Sequence, residues 1–115
     1  MDRDLSLFTA APTDSIRAAM EKIERNHHRA VVVVEGERVV GTVTDGDIRR
    51  AFLHDVLPLA PVERIMQLNP LVTTSTDPEE RHRRIVEEKI TLLPVVSEDM
   101  ELLDVELAFE PFEGP

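Results

Sequence analysis

The residues of this chain best suited to chemistry stand together at Gly41-Thr42-Val43-Thr44-Asp45-Gly46-Asp47-Ile48-Arg49-Arg50. Thr44 offers a hydroxyl, and Arg49 and Arg50 offer two guanidiniums. Asp47 offers a carboxylate able to accept two hydroxyl hydrogen bonds, as a ribose diol would supply. The β-branched Val39, Val40 and Val43 read as a strand running into the group, while Ile48, Ala51 and Phe52 leave it at helical spacing. The polar groups therefore fall where a strand becomes a helix, with Thr44 and Asp45 as good N-cap residues. A helix start carries free N–H groups and a partial positive charge, and both favour an anion. Hydroxyl, carboxylate and guanidinium side by side suit recognition of a sugar phosphate. The same spacing also describes a well-capped helix with a solvated basic first turn, and spacing alone does not choose between the two.

The elements around this group must position it. Leu5 to Ala11 reads as a short extended lead-in, stopped by Pro12-Thr13-Asp14, which caps a helix. In that helix Ile16, Ala19, Met20 and Ile23 fit i, i+3, i+4, i+7, the spacing of one buried stripe. Asn26-His27-His28 ends it. Ala30 to Val34 is a continuous apolar run, the mark of a strand covered on both faces. Glu35-Gly36-Glu37 turns the chain into Val39 to Thr44 and completes a hairpin.

Beyond the loop from His54 to Pro61, Val62, Ile65 and Met66 suggest a short helix that Asn69-Pro70 closes. Leu71 to Thr74 is extended. Asp77-Pro78-Glu79-Glu80 is a strong helix start, with a capping Asp, Pro at the first position and Glu at the third. That helix reaches about Lys89, and Leu92 to Val96 turns through Ser97-Glu98-Asp99 into Leu102 to Leu107.

The order strand, helix, strand, strand thus occurs twice. A shift of 63 residues (77 − 14) lays Thr13-Asp14 on Thr76-Asp77, Glu24 on Glu87 and Val32-Val33 on Val95-Val96. A half-unit of roughly 55 residues buries a core poorly by itself, so the halves are expected to pack together. Under the same shift Gly41 meets Asp104, Thr44 meets Leu107 and Asp47 meets Glu110. The second copy keeps the shape and loses the glycine, hydroxyl and carboxylate. Its helix sets Glu79, His82 and Arg83 opposite Ile16, Ala19 and Met20, which implies shallower packing or a missing partner. The stretch 109–115 has no strong helical pattern, so the second copy is expected to break off within its last helix.

Composition narrows the function classes. At 115 residues, with 42% hydrophobic and 31% charged residues, the chain has enough sequence for one globular core. A net charge of −10 and a pI of about 4.8 repel phosphate backbones. The aromatics are 3%, all Phe, which removes stacking platforms, so no nucleic-acid partner is expected. Without cysteine there is neither a disulfide scaffold nor a thiolate metal site. No apolar run approaches the ~20 residues of a membrane span, and Met-Asp-Arg-Asp lacks the order of a signal peptide. A cytoplasmic location without membrane association is the expectation. His27, His28, His54 and His82 show no ligand spacing, so no metal site is expected. No Ser or Cys has a paired base at readable spacing, so no catalytic residue is assigned.

Two copies of strand-helix-strand-strand-helix, with this motif after the first hairpin, resemble a tandem pair of CBS domains. This is the cystathionine β-synthase or Bateman module. The family pattern of Gly, apolar or Thr, any residue, Ser/Thr, two residues and Asp is met at Gly41, Thr44 and Asp47. Arg29-Ala30-Val31-Val32-Val33 and Leu92-Leu93-Pro94-Val95-Val96 are similar to the family's central strand, and Thr44 to Arg50 looks closest to CBS pairs attached to sugar-nucleotide nucleotidyltransferases.

The resemblance implies an α+β fold of two β-α-β-β-α repeats, 1–58 and 59–115, packed through their sheets with pseudo-two-fold symmetry. The second repeat is degenerate. It further implies a regulatory, non-enzymatic module that needs no cofactor and binds AMP, ADP, ATP or S-adenosylmethionine between the repeats. Asp47 would then accept the ribose hydroxyls, Thr44 would lie beside the ribose and first phosphate, and Arg29 would be a phosphate-binding base. Backbone groups around Ala30 and Thr42 would read the adenine, with Arg49 and Arg50 added by proximity. At most one competent site per chain, a homodimer, and a joined or partner enzyme such as a nucleotidyltransferase complete the expectation. A ligand-free dimerisation module and, last, a small sugar-nucleotide enzyme are the alternatives.

Overall fold

In the computed structural model, which describes residues 4–109, the apolar run after His28 and Arg29 is β2 (Ala30–Glu35), the middle of a three-stranded sheet. β1 (Thr9–Ala10) pairs with it in parallel and β3 (Arg38–Thr44) antiparallel, with Gly36 turning the hairpin at a φ of 65°. A strand in the middle of a sheet can be apolar on both sides only if both faces are covered. Val31 and Val33 meet α1 (Ile16–Asn26) and α2 (Asp45–Leu53) through Ile16, Ala19, Ile23 and Ile48. Ala30 and Val32 meet the second sheet, formed by β4 (Leu92–Val96) and β5 (Leu102–Leu107), through Leu92, Val96, Val105 and Leu107. α3 (Pro78–Glu88) packs against β4 and β5. The architecture is α+β, two repeats joined through their sheets. No helix among the described residues is long and apolar enough to cross a membrane.

The repeats are related by two offsets. Ser15 caps α1, its hydroxyl accepting from the Ala18 amide, and Asp77 caps α3, an offset of 62 (77 − 15). The hairpin bulges fall at Val33/Val34 and Val95/Val96, again 62 apart (95 − 33). Thr44 lies opposite Ala30 and Leu107 opposite Leu92, so the second strands differ by 63 (107 − 44). The uniform shift of 63 read from the sequence is therefore one residue too long for the helix and first strand. The second hairpin turn absorbs the difference. Between the turns Arg38 bridges Glu101. The Val39 amide donates to the Met100 carbonyl and the Leu102 amide to the Glu37 carbonyl, each at 2.8 Å. These two bonds are images of one another under the offset of 63, which marks the pseudo-two-fold axis.

Some local expectations change. Ser15, not Asp14, caps the first helix, and the Asp14 carboxylate accepts from the Ala11 amide instead. Met20 is 39% exposed, because only the line Ile16, Ala19, Ile23 and Asn26 faces the sheet directly. The short helix after the loop is a single 3-10 turn, Val62–Arg64. The extended stretch at Leu71 to Thr74 contributes one parallel bridge, Thr73 to Val95, beside β4 as β1 lies beside β2. Glu110 and the expected break within the last helix lie outside the described residues.

Candidate functional site

Thr44 is both the last residue of β3 and the N-cap of α2. Its hydroxyl oxygen accepts from the Asp47 amide at 3.2 Å, and Asp47 Oδ2 accepts from the Thr44 amide at 2.9 Å and the Thr44 hydroxyl at 3.0 Å. Oδ1 accepts from Arg50 Nη2 at 2.7 Å and Gln67 Nε2 at 2.9 Å. A carboxylate has about four lone-pair sites, and all of these are engaged. Burial acts to raise the Asp47 pKa. The Gln67 amide, the Thr44 amide and hydroxyl, and the Arg50 guanidinium outweigh it and hold the group below its ordinary 3.8.

Gly41 explains how Gln67 reaches that carboxylate. A Cβ at position 41 would lie 2.8 Å from the Gln67 carbonyl oxygen and 2.8 Å from Met66 Sδ. Only a glycine lets the 66–67 segment lie against β3. There the Gln67 amide donates to the Thr42 carbonyl at 2.8 Å, and the Thr42 amide donates back at 3.2 Å.

A cavity of about 520 Å³ opens between the repeats. The first repeat lines it with Arg29, Ala30, Thr42, Thr44, Asp45, Gly46 and Arg49. The second lines it with Leu71, Lys89, Ile90, Thr91, Leu92 and Pro94. Ala30, Leu71, Leu92 and Pro94 give an apolar slot, Thr42, Thr44 and Thr91 bring hydroxyls, and Arg29, Arg49 and Lys89 bring cations. Arg29, Ala30, Thr42, Thr44 and Arg49 are thus brought together on one wall, as the sequence analysis grouped them. Asp47 and Arg50 are not on that wall and are paired to each other.

The backbone at Arg29 is fixed on both sides. Arg29 has a φ of 63°, and its carbonyl accepts from the Asp45 amide at 3.0 Å. His28 before it is buried, with Nδ1 2.7 Å from the Asn26 carbonyl and Nε2 2.6 Å from the Phe109 carbonyl. The Thr91 hydroxyl donates to the His28 carbonyl, tying the two repeats at the cavity edge. Among the described residues, Leu107 stands at the position in the second repeat that Thr44 holds in the first, and Phe109 stacks on the His28 ring at 4.3 Å.

Sequence reasoning missed the second repeat's contribution and Gln67. The internal repeat held the signal for the first, since Lys89 ends α3 in the left-handed conformation as His27 ends α1. Nothing local marked Gln67. A further cavity of about 570 Å³ lies between α1 and α2, with Met20, Ile23, Ile48 and Phe52 on its apolar side and Arg29, Asp45 and Arg49 shared with the first. Among the described residues no three metal-ligating side chains cluster.

Comparison with known proteins bears on the fold. Residues 1–54 match the family model described as the CBS domain. An inosine-5'-monophosphate dehydrogenase from Korarchaeum cryptofilum is 31% identical over 107 residues, 92% of this chain and 22% of its own length. The chain thus spans about a fifth of that relative. A CBS domain protein from Pyrobaculum aerophilum, complexed with AMP, superimposes with a TM-score of 0.73 at 20% identity, over 93% of this chain and 82% of that one. The CBS domain pair of protein MJ0100, in complex with 5'-methylthioadenosine and S-adenosyl-L-methionine, gives a TM-score of 0.71 at 20% identity, over 88% and 84%.

Proposed function

From a chain whose residues 1–54 match the CBS domain and whose fold is that of CBS domain pairs, we propose a regulatory module binding an adenosine-containing nucleotide between its repeats. One observation carries the reading: a single cavity has an apolar slot from both repeats and hydroxyls, cations and a helix start around it. Adenine fits the slot of Ala30, Leu92 and Pro94, with backbone groups near Ala30 and Thr42 at its edge. The first phosphate lies at the start of α2, where the partial positive charge of the helix end favours an anion, although the Asp45 and Asp47 amides there already donate to the Arg29 carbonyl and the Thr44 hydroxyl. Arg29 and Arg49 neutralise it.

Ribose binding to Asp47 requires an exchange. Its acceptor sites are filled, so the sugar hydroxyls replace the Gln67 or Arg50 donor. One polar partner replaces another, which keeps the cost small. Gln67 belongs to the 59–115 repeat while Asp47 belongs to the first, so its release couples the ligand to the repeat arrangement. Such coupling acts only through unequal affinity for two arrangements.

The module acts as a cytoplasmic homodimer with one competent site per chain, controlling a joined or partner enzyme. The Thr44 to Arg50 motif supports a nucleotidyltransferase as that enzyme, and the dehydrogenase relative supports another nucleotide-handling enzyme. The filled acceptors of Asp47 favour a second reading, a ligand-free dimerisation module in which the motif is a helix cap. Titration of AMP, ATP, S-adenosylmethionine and GMP against wild type and Asp47→Ala, followed by melting temperature, separates the two. A ligand at 100 times its Kd stabilises by about 2.7 kcal/mol. An unmoved melting temperature with all four ligands leaves dimerisation as the function.

A further inference from the structure

The charge around the cleft opposes that of the chain. The sequence carries a net −10, and many described basic side chains are engaged. Arg17 pairs with Glu21, Arg50 with Asp47, Arg81 with Glu106 and Arg83 with Glu87. Lys22 and Arg84 donate to the carbonyls of Thr9 and Val72. Among the described residues, the side chains of Arg29, Arg49 and Lys89 have neither an ion pair nor a hydrogen bond, and all three line this one cavity. Arg25, Arg38 and Arg64 are also unengaged, but none of them lines the cleft. A single carboxylate, Asp45, shares the wall with the three cations.

The cations come from both sides of the cleft. Arg29 and Arg49 belong to the first repeat beside the start of α2, and Lys89 belongs to the second at the end of α3. One phosphate at the helix start uses the first two. Lys89, across the opening, has no partner unless the ligand's anionic part extends toward it. We propose that the cleft selects its nucleotide by phosphate count. A di- or triphosphate bridges Arg29 and Arg49 to Lys89 across the two repeats, while a monophosphate leaves Lys89 unused and a sulfonium nucleoside is repelled. This inference rests on the nucleotide reading of the cleft. It adds a consequence: the phosphate chain itself ties one repeat to the other.

A lysine at a helix C-terminus is favourable for its own sake, so the test reads ligand charge and not stability alone. Calorimetric titration of the intact chain with AMP, ADP, ATP and S-adenosylmethionine, without divalent cation, is run at about 50 and about 200 mM salt. ATP or ADP is expected to bind about tenfold tighter than AMP, with S-adenosylmethionine weakest and the gap narrowing at the higher salt. Lys89→Gln is expected to cut the ATP-to-AMP affinity ratio about three- to tenfold, and Lys89→Arg to restore it. AMP binding as tightly as ATP, or a ratio indifferent to Lys89→Gln, overturns the inference while leaving the nucleotide site standing. Absence of binding by all four ligands removes the site itself, and the inference with it.

Discussion

Val43 and Ala19 of the first repeat stand where Glu106 and Arg81 stand in the second. Val43 and Ala19 are fully buried, part of the apolar core between β3 and α1. Glu106 and Arg81 form a partly exposed ion pair at 3.9 Å, and Arg81 also donates to the Ser75 carbonyl at 2.6 Å. α1 buries four of its residues and α3 buries Ile85 alone. The faces that the sheets turn toward each other do not differ in this way, since Ala30, Val32 and Val39 meet Leu92, Val96 and Val105. The difference teaches where each repeat depends on being covered. The mutual interface is constrained in both copies, while among the described residues the outer face carries an ion pair only in the second copy, against α3. The repeats also differ toward the end of their second strands, where Gly41 and Thr44 of the first correspond to Asp104 and Leu107 of the second.

Exchanging the two outer faces tests this most severely. Val43→Glu places an unpaired carboxylate in an enclosed site and is expected to cost about 3 kcal/mol or more, read from the urea midpoint. Glu106→Val, the reverse exchange, is expected to stay within about 1 kcal/mol. Equal losses would mean that the two helices pack alike. Gly41→Ala comes next, at about 2 kcal/mol, because its Cβ meets the Gln67 backbone. Met66→Ala does not rescue it, since the Gln67 carbonyl stays in place.

The helix caps sharpen the contrast through pH. Ionised Asp47 contributes stability that is fully present above its ordinary value of 3.8 and is lost as pH falls through its lower folded value. Asp47→Asn is therefore expected to be about 1 kcal/mol less stable than wild type at neutral pH, with the gap closing below about pH 4. Thermal melts across that range check the sign. At the cap of α3, Asp77→Asn is expected to change stability by only a few tenths of a kcal/mol, because Asn and Asp cap about equally well. The last effect is read on the ligand instead of on stability. Gln67→Ala frees an acceptor on Asp47 and is expected to tighten nucleotide binding about two- to tenfold. Weaker binding would make Gln67 a ligand contact.

Much of this was legible because it is local. Thr44, three residues before Asp47, announces a capping box, and Asp77-Pro78 announces a helix start, since both depend on atoms within one turn. The run at Ala30 to Val34 announces a strand covered on both faces, and the internal repeat announces a partner to cover it. The misplacement of the first cap from Ser15 to Asp14 also has a local cause. Both are good capping residues, and the choice between them depends on the Ala11 amide claiming Asp14. The one-residue slip between repeats was hidden because the extra residue sits in a turn, where no periodicity records it.

By itself the sequence determined the elements, their order, their duplication and the chemical types gathered after β3, because each follows from spacing along a few residues. Tertiary structure alone decided that Gln67, twenty positions from Asp47, fills its carboxylate. It alone also decided that Lys89 faces the same opening as Arg29 and Arg49. Those outcomes depend on how two sheets dock and how closely one segment passes over a glycine, and no local pattern encodes the meeting of residues that far apart.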